Sequence, residues 1–99
     1  MEKYRSELTK IDESLFCLLK KRQEVSLKIA ECKKNLKLKV VDDKQEEIVI
    51  KKNIERAKSL GLGHEYAKEI SELLIKYSKI SQLENVFNQD ASYLKNDIK

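Results

Sequence analysis

A long heptad-like stripe in the first third of the chain constrains the fold most strongly. Its members recur at spacings of three and four residues: Leu8, Ile11, Leu15, Leu18, Arg22, Val25, Ile29 and Cys32. This spacing is typical of a long helix that packs along another helix at a shallow angle. A helix over residues 2–37 extends about 54 Å. Because no compact domain of 99 residues is that wide, and the other predicted helices are shorter, we expect a second copy of the chain to pack along it.

The rest of the chain also predicts helices. There is no Pro, and the two Gly residues are Gly61 and Gly63, which favours long helices with one marked break. Asp42 is a candidate N-cap for a helix over residues 43–60, which Gly61 ends. A third helix is predicted over residues 64–88, with an apolar set formed by Tyr66, Ile70, Leu73, Leu74, Tyr77, Ile80, Leu83 and Phe87. We therefore expect one all-α domain over residues 1–99, with a polar tail at 89–99.

The charge pattern and the apolar runs exclude several classes of protein. The net charge is +4, but 21 basic residues are interleaved with 17 acidic ones, and the densest basic stretch carries no aromatic residue. This argues against nucleic acid as a partner. No apolar run approaches the roughly 20 residues of a membrane span, and the N-terminus lacks a signal peptide. Cys17 and Cys32 are expected to be small core residues of a protein in the reducing cytoplasm.

Polar residues occupy positions where a helical core is expected. Arg22 lies within the apolar stripe, where an unpaired buried guanidinium is costly. Three explanations are open: an acidic partner, a role in fixing the register between packed helices, or a bound anion. Lys33 lies three turns further on, only about 20° away around the helix. Glu46 shares a face with apolar residues of the second helix, and Ser78 and Gln82 lie on the buried side of the third. One shared polar cavity explains all of these positions together.

Arg5 also lies beside the stripe, but it precedes Arg22 by about 25 Å of helix. One small ligand cannot contact both residues in one chain. If both bind one anion, Arg5 must come from a second, antiparallel chain, and the dimer then has two equivalent sites by symmetry.

The motifs resemble those of a known enzyme family. The chain reads R-x-x-L-x-x-I-D-x-x-L-x-x-L-L-x-x-R from Arg5 to Arg22, then I-A-E-C-K-K at 29–34, V-V-D-D-K-Q-E-E at 40–47, and finally Tyr66 and S-x-x-x-Q at 78–82. In these motifs and their spacing, residues 3–88 resemble the all-helical chorismate mutases. The resemblance implies an intertwined helical homodimer and the Claisen rearrangement of chorismate to prephenate, a step of phenylalanine and tyrosine biosynthesis. It implies no cofactor and no metal.

The resemblance also implies roles for individual residues. The implied catalytic residues are Arg22, Lys33, Glu46 and Gln82. Arg22 binds a substrate carboxylate, Lys33 and Gln82 donate hydrogen bonds to the ether oxygen, and Glu46 accepts one from the ring hydroxyl.

Three further residues are implied to bind the chorismate dianion. Arg5 of the partner chain binds the second carboxylate. Asp42 assists Glu46, which accepts a hydrogen bond from the ring hydroxyl. Ser78 adds a hydrogen bond on the side of the ring carboxylate.

One departure from the family pattern leaves other functions open. Gln45 stands where the family usually has Arg, so a cation of the site is missing or is replaced by a neutral donor; Lys44 lies on a different helical face. The closest alternative is an isochorismate-pyruvate lyase of the same fold, which forms salicylate. A non-catalytic helical dimerisation or regulatory module is the second alternative, and a basic nucleic-acid module is the third.

Overall fold

Three α-helices make up the chain. The computed structural model describes the backbone of residues 1–38 and 42–98 and the side chains of residues 1–38 and 42–84. Helix α1 spans Glu2–Asn35, α2 spans Asp43–Ser59 and α3 spans His64–Ile98, and no strand occurs in these segments. The predicted all-α class is confirmed. Within the same segments, none of the helices is long and apolar enough to cross a membrane.

Helix α1 ends without a glycine, two residues before its predicted end. Lys37 adopts a positive φ of 57°, the left-handed conformation that usually closes a helix. The Lys37 N–H donates to the Lys34 carbonyl at 3.1 Å, and the Leu38 N–H donates to the Lys33 carbonyl at 2.7 Å. This pair of bonds forms a Schellman motif and satisfies two of the last carbonyls of α1.

Helix α2 begins at its predicted residue and ends one residue before its predicted end. The Asp42 side chain accepts a hydrogen bond from the Gln45 N–H at 3.1 Å, which caps the N-terminus. At the other end Gly61 has a φ of 78°, and the Leu62 N–H donates to the Ala57 carbonyl at 2.8 Å. This second Schellman motif reverses the chain into α3.

Helix α3 continues past its predicted end at residue 88 and reaches Ile98. No Pro or Gly interrupts the sequence from His64 to Ile98, so nothing breaks the backbone hydrogen-bond ladder. The predicted polar tail is therefore helical through Ile98. The Phe87 side chain, which the periodicity assigned to the apolar set of this helix, lies outside the described residues.

Helix α3 packs against both other helices and is the centre of the fold. Small side chains allow the close approach: Ala30 of α1, Ala57 of α2 and Ala67 of α3 are buried. Asn53 of α2 donates to the Ser71 hydroxyl of α3 at 3.0 Å. The buried residues of α1, Ser26 and Ala30, both lie in its C-terminal half, whereas residues 1–21 are all exposed.

The chain is elongated and leaves large apolar side chains in contact with solvent. Its radius of gyration is 17.5 Å and its longest dimension 56 Å, whereas a compact domain of this length has a radius of gyration of about 13 Å. In the first half of α1, Leu8, Ile11 and Leu18 are each about 60% exposed. Cys17 and Cys32 are also exposed free thiols; the prediction that they are core residues is wrong within one chain, because no other described segment covers those faces of α1.

Candidate active site

A cavity of about 500 Å³ opens between the C-terminal half of α1, the N-terminus of α2 and the middle of α3. Its wall combines polar side chains with a few aliphatic ones, and is formed by Arg22, Val25, Ser26, Ile29, Lys33, Asp42, Gln45, Glu46, Val49, Ile75, Ser78, Lys79 and Gln82. Six of the seven residues that the sequence assigns to a site therefore meet in one place. The seventh, Arg5, does not.

Arg22 is half-buried and its hydrogen-bond partners are neutral. Its guanidinium donates to the Leu74 carbonyl at 3.1 Å and to the Ser78 hydroxyl. Burial lowers the pKa of Arg22 from its usual value, because loss of solvent disfavours the charged form, yet an arginine stays protonated at neutral pH. None of the described carboxylates lies within salt-bridge distance of it. The ion-pair explanation therefore finds no support, and a half-buried cation faces an open cavity.

Gln82 is only 8% exposed and is fixed by a neighbour on α1. Its Nε2 donates to the Ser26 hydroxyl at 2.8 Å, and Ser26 donates in turn to the Ser78 carbonyl at 3.5 Å. Because an amide nitrogen carries two hydrogens, one N–H of Gln82 has no partner among the described residues. Sequence reasoning missed Ser26, although it lies one helical turn after Arg22 on the same face.

Glu46 forms an ion pair across the cavity wall with a lysine of α3. The distance between Lys79 Nζ and Glu46 Oε1 is 2.6 Å, and the two side chains are 36% and 21% exposed, respectively. Sequence reasoning also missed Lys79. The signal that could have found it is its place one turn after Ile75, another residue of the cavity wall.

Lys33, Asp42 and Gln45 line the cavity where α1 ends and α2 begins. Lys33 is half-buried in the last turn of α1, and Asp42 is the N-cap of α2. Gln45, which stands where the family usually has Arg, contributes a neutral residue to the cavity wall. Lys44 is not part of the cavity wall, as its helical face predicts.

Arg5 lies near the other end of α1, in solvent. Its guanidinium is 3.8 Å from Glu2 Oε1, and its side chain is 69% exposed. The 17 residues to Arg22 correspond to about 25 Å of helix, so Arg5 cannot reach the cavity of its own chain.

The arrangement suits a small anion with an apolar body. Three cations, two carboxylates, a serine pair, a buried amide and the neutral Gln45 surround a space whose remaining wall is aliphatic. Such a site binds carboxylates, hydroxyls and ether oxygens by fixed donors and acceptors. Among the described residues, no group of three or more His, Cys, Asp or Glu side chains could hold a metal ion.

Comparison with known proteins agrees with this geometry. The family model for chorismate mutase type II matches residues 4–83. The match includes all of α2, most of α1, the part of α3 that lines the cavity, and all seven predicted site residues. Comparison with curated proteins returned no significant match. Since the family match covers most of the chain and the motifs it contains converge on one cavity, the protein belongs to the chorismate mutase type II family.

Proposed function

We propose that the protein is a chorismate mutase, an isomerase that converts chorismate to prephenate for phenylalanine and tyrosine biosynthesis. One observation carries the proposal: Arg22 is partly desolvated, has only neutral hydrogen-bond partners among the described residues, and faces a cavity that also holds Lys33, Glu46 and Gln82. A site of this kind favours an anionic ligand. The family to which the chain belongs indicates that this anion is chorismate.

The protein does not form or break any covalent bond with the substrate in this reaction. In a Claisen rearrangement one C–O bond breaks and one C–C bond forms within a single bound dianion, so no nucleophile, cofactor or metal takes part. The protein contributes by holding the substrate in its compact conformation and by stabilising the charge that develops on the ether oxygen.

Two arginines provide the conformational restraint in this proposal. Arg22 binds one carboxylate of chorismate, and Arg5 of a second chain binds the other. A guanidinium suits this role because it donates two parallel hydrogen bonds to a carboxylate. Ser78, which already accepts a hydrogen bond from Arg22, adds a contact on the side of the ring carboxylate.

The remaining polar groups act on the two oxygens that are not carboxylates. Lys33 and the second N–H of Gln82 donate to the ether oxygen, where negative charge grows as the C–O bond breaks. Glu46, assisted by Asp42, accepts a hydrogen bond from the ring hydroxyl.

The proposal includes a homodimer, because one chain lacks both a complete site and a cover for its apolar surface. An antiparallel copy of α1 brings Arg5 to the distant cavity, and it covers the exposed stripe that contains Leu8, Ile11 and Leu18. Symmetry then produces two equivalent sites. We expect this enzyme in the cytoplasm, where reducing conditions keep Cys17 and Cys32 as thiols.

Incubation of the purified protein with chorismate near neutral pH tests the activity directly. We expect chorismate to disappear and prephenate to form in equal amount. Lys33→Ala and Gln82→Ala are expected to abolish turnover while circular dichroism shows the helices intact. Absence of prephenate with the wild-type protein would contradict the proposal.

An isochorismate-pyruvate lyase is the second candidate, and the observation in its favour is Gln45, a neutral residue in the cavity wall at a position where the mutases usually carry Arg. Parallel incubation with isochorismate separates the two. Pyruvate and salicylate without prephenate would establish the lyase, and turnover of neither substrate would favour a non-catalytic module.

A further inference from the structure

We infer that Lys79 is a substrate-positioning residue that supplies the fourth positive charge of the active site and holds Glu46 in place for the substrate hydroxyl. The inference rests on the proposed function, since it concerns how a chorismate-like dianion is held. The juxtaposition that carries it is the 2.6 Å contact between Lys79 Nζ and Glu46 Oε1 within the wall of the cavity.

The stability of the fold does not explain this ion pair. Both side chains retain solvent contact, at 36% and 21% exposure, and ion pairs of this kind contribute little to folding. Helices α2 and α3 are already joined by the buried alanines Ala57 and Ala67 and by the Asn53–Ser71 hydrogen bond. A role in binding accounts better for a lysine that pairs with a carboxylate within the cavity wall.

The charge balance of the occupied site also supports a role of Lys79 in binding. The ionisable groups that would surround a bound ligand are four bases and two acids: Arg22, Lys33, Lys79, Arg5 of a second chain, Asp42 and Glu46. A bound dianion makes this set neutral. Without Lys79 the occupied site carries one uncompensated negative charge in a partly desolvated space, where such an imbalance weakens anion binding.

The rearrangement conserves the total charge of the substrate, and this predicts which kinetic constant Lys79 controls. A cation that does not contact the breaking C–O bond attracts the bound dianion and the transition state almost equally. Such uniform binding lowers KM and leaves kcat nearly unchanged.

Kinetics of variants of the whole 99-residue chain test the inference, with whichever of chorismate and isochorismate the wild type turns over. Lys79→Met removes the charge and keeps the aliphatic stem; we expect KM to rise about tenfold and kcat to stay within about threefold. Lys79→Arg keeps the charge and is expected to bind the substrate nearly as well as the wild type. Lys68→Met removes a lysine charge from an exposed position of α3 outside the cavity wall and is the matched control.

A rescue variant separates a charge effect from a packing effect. Gln45 precedes Glu46 and lines the same cavity, so an arginine there can return the lost charge from α2. Gln45→Arg combined with Lys79→Met is expected to recover most of the lost affinity. The melting temperatures of these variants are expected within about 5 °C of the wild type, because an ion pair that retains solvent contact contributes little to folding.

Two results would overturn the inference while the proposed function stands. One is a KM of Lys79→Met equal to that of Lys68→Met, and the other is a rescue variant that binds no better than Lys79→Met. A wild-type protein that turns over neither substrate overturns the proposed function, and this inference with it.

Discussion

At the scale of single residues, Gln82 combines a structural bond with an unused donor. One N–H of its amide bonds to Ser26 at 2.8 Å, which joins α3 to α1, and the other is the donor that the proposed function assigns to the ligand. An ordinary hydrogen bond contributes about 1 kcal/mol to stability, whereas loss of a donor to a developing oxyanion costs about 10²–10³ in rate. The chemical contribution of this side chain is therefore expected to exceed the structural one.

Replacement of Gln82 by alanine is expected to lower kcat at least about 100-fold, because the donor to the ether oxygen is lost. The melting temperature is expected to fall by only about 4–8 °C, the equivalent of one hydrogen bond in a domain of this size. Steady-state kinetics with chorismate and a thermal melt measure the two effects. A variant that keeps more than half of wild-type kcat would contradict the assigned role.

Gln82→Glu adds a test by pH. An ionised carboxylate only accepts hydrogen bonds and repels the developing charge, whereas the protonated acid donates an O–H. The variant is expected to be nearly inactive at neutral pH and to gain activity as the pH falls through the pKa of the new carboxyl. Wild-type kcat measured over the same range is the control, and a variant whose activity does not rise toward low pH would contradict the donor role.

Periodicity predicts which face of a helix a residue occupies, but it does not predict which residues meet across two helices. Arg22 and Lys33 could be assigned to one face because they belong to the same helix, three turns apart. The pair Glu46–Lys79 could not, since the 2.6 Å contact depends on how α2 crosses α3. The crossing is determined by packing of small residues such as Ala57 and Ala67.

At the scale of helices, the two Schellman motifs show what a sequence reveals about helix ends. Gly61 adopts the left-handed conformation that its residue type predicts. Lys37 adopts the same conformation with a Cβ present, so no residue type marks the end of α1. The end of α3 was missed for the opposite reason: a polar composition after residue 88 predicts a tail, but polar residues without Pro or Gly remain compatible with a helix.

Gly61→Ala is expected to destabilise the fold by about 1–2 kcal/mol, because a Cβ is disfavoured at a φ of 78°. A Cβ at Gly61 meets no atom within 4 Å, so the cost comes from the backbone alone. Gly63→Ala is the control, since its φ is not positive and its surroundings are equally open. Urea denaturation at equal chain concentration measures both variants, and equal stabilities for the two would contradict the helix-end assignment.

At the scale of the whole molecule, the described part of the chain has no core of large apolar side chains. The buried apolar residues among the described side chains are Ala30, Ala57 and Ala67, while large side chains such as Leu8, Ile11 and Leu15 are at least 49% exposed. A stripe of this kind on a single helix is costly in water. The heptad spacing predicts a covering helix from a second chain, and this stays a prediction; the 56 Å length of the chain reflects the long helices themselves.

A charge within the stripe is expected to separate the proposed dimer. Ile11→Asp places a carboxylate in the proposed interface, and light scattering should then report a mass near 11.6 kDa in place of twice that mass for the wild type. Turnover is expected to fall together with the measured mass, because Arg5 no longer reaches a second chain. Glu13→Lys, about 200° around the same helix, is the control and should remain dimeric and active; an Ile11→Asp protein that stays dimeric would contradict the proposed interface.

Complementation between two inactive variants tests the central claim most directly, namely a chorismate mutase site built from Arg22 of one chain and Arg5 of the other. Arg5→Ala and Arg22→Ala are each expected to be inactive as homodimers. When the two are coexpressed or refolded together, half of the dimers are mixed, and each mixed dimer has one intact site. We predict about one quarter of wild-type prephenate formation from the mixture. A mixture in which differently tagged chains copurify, but which forms no more prephenate than the separate variants, would contradict the shared site.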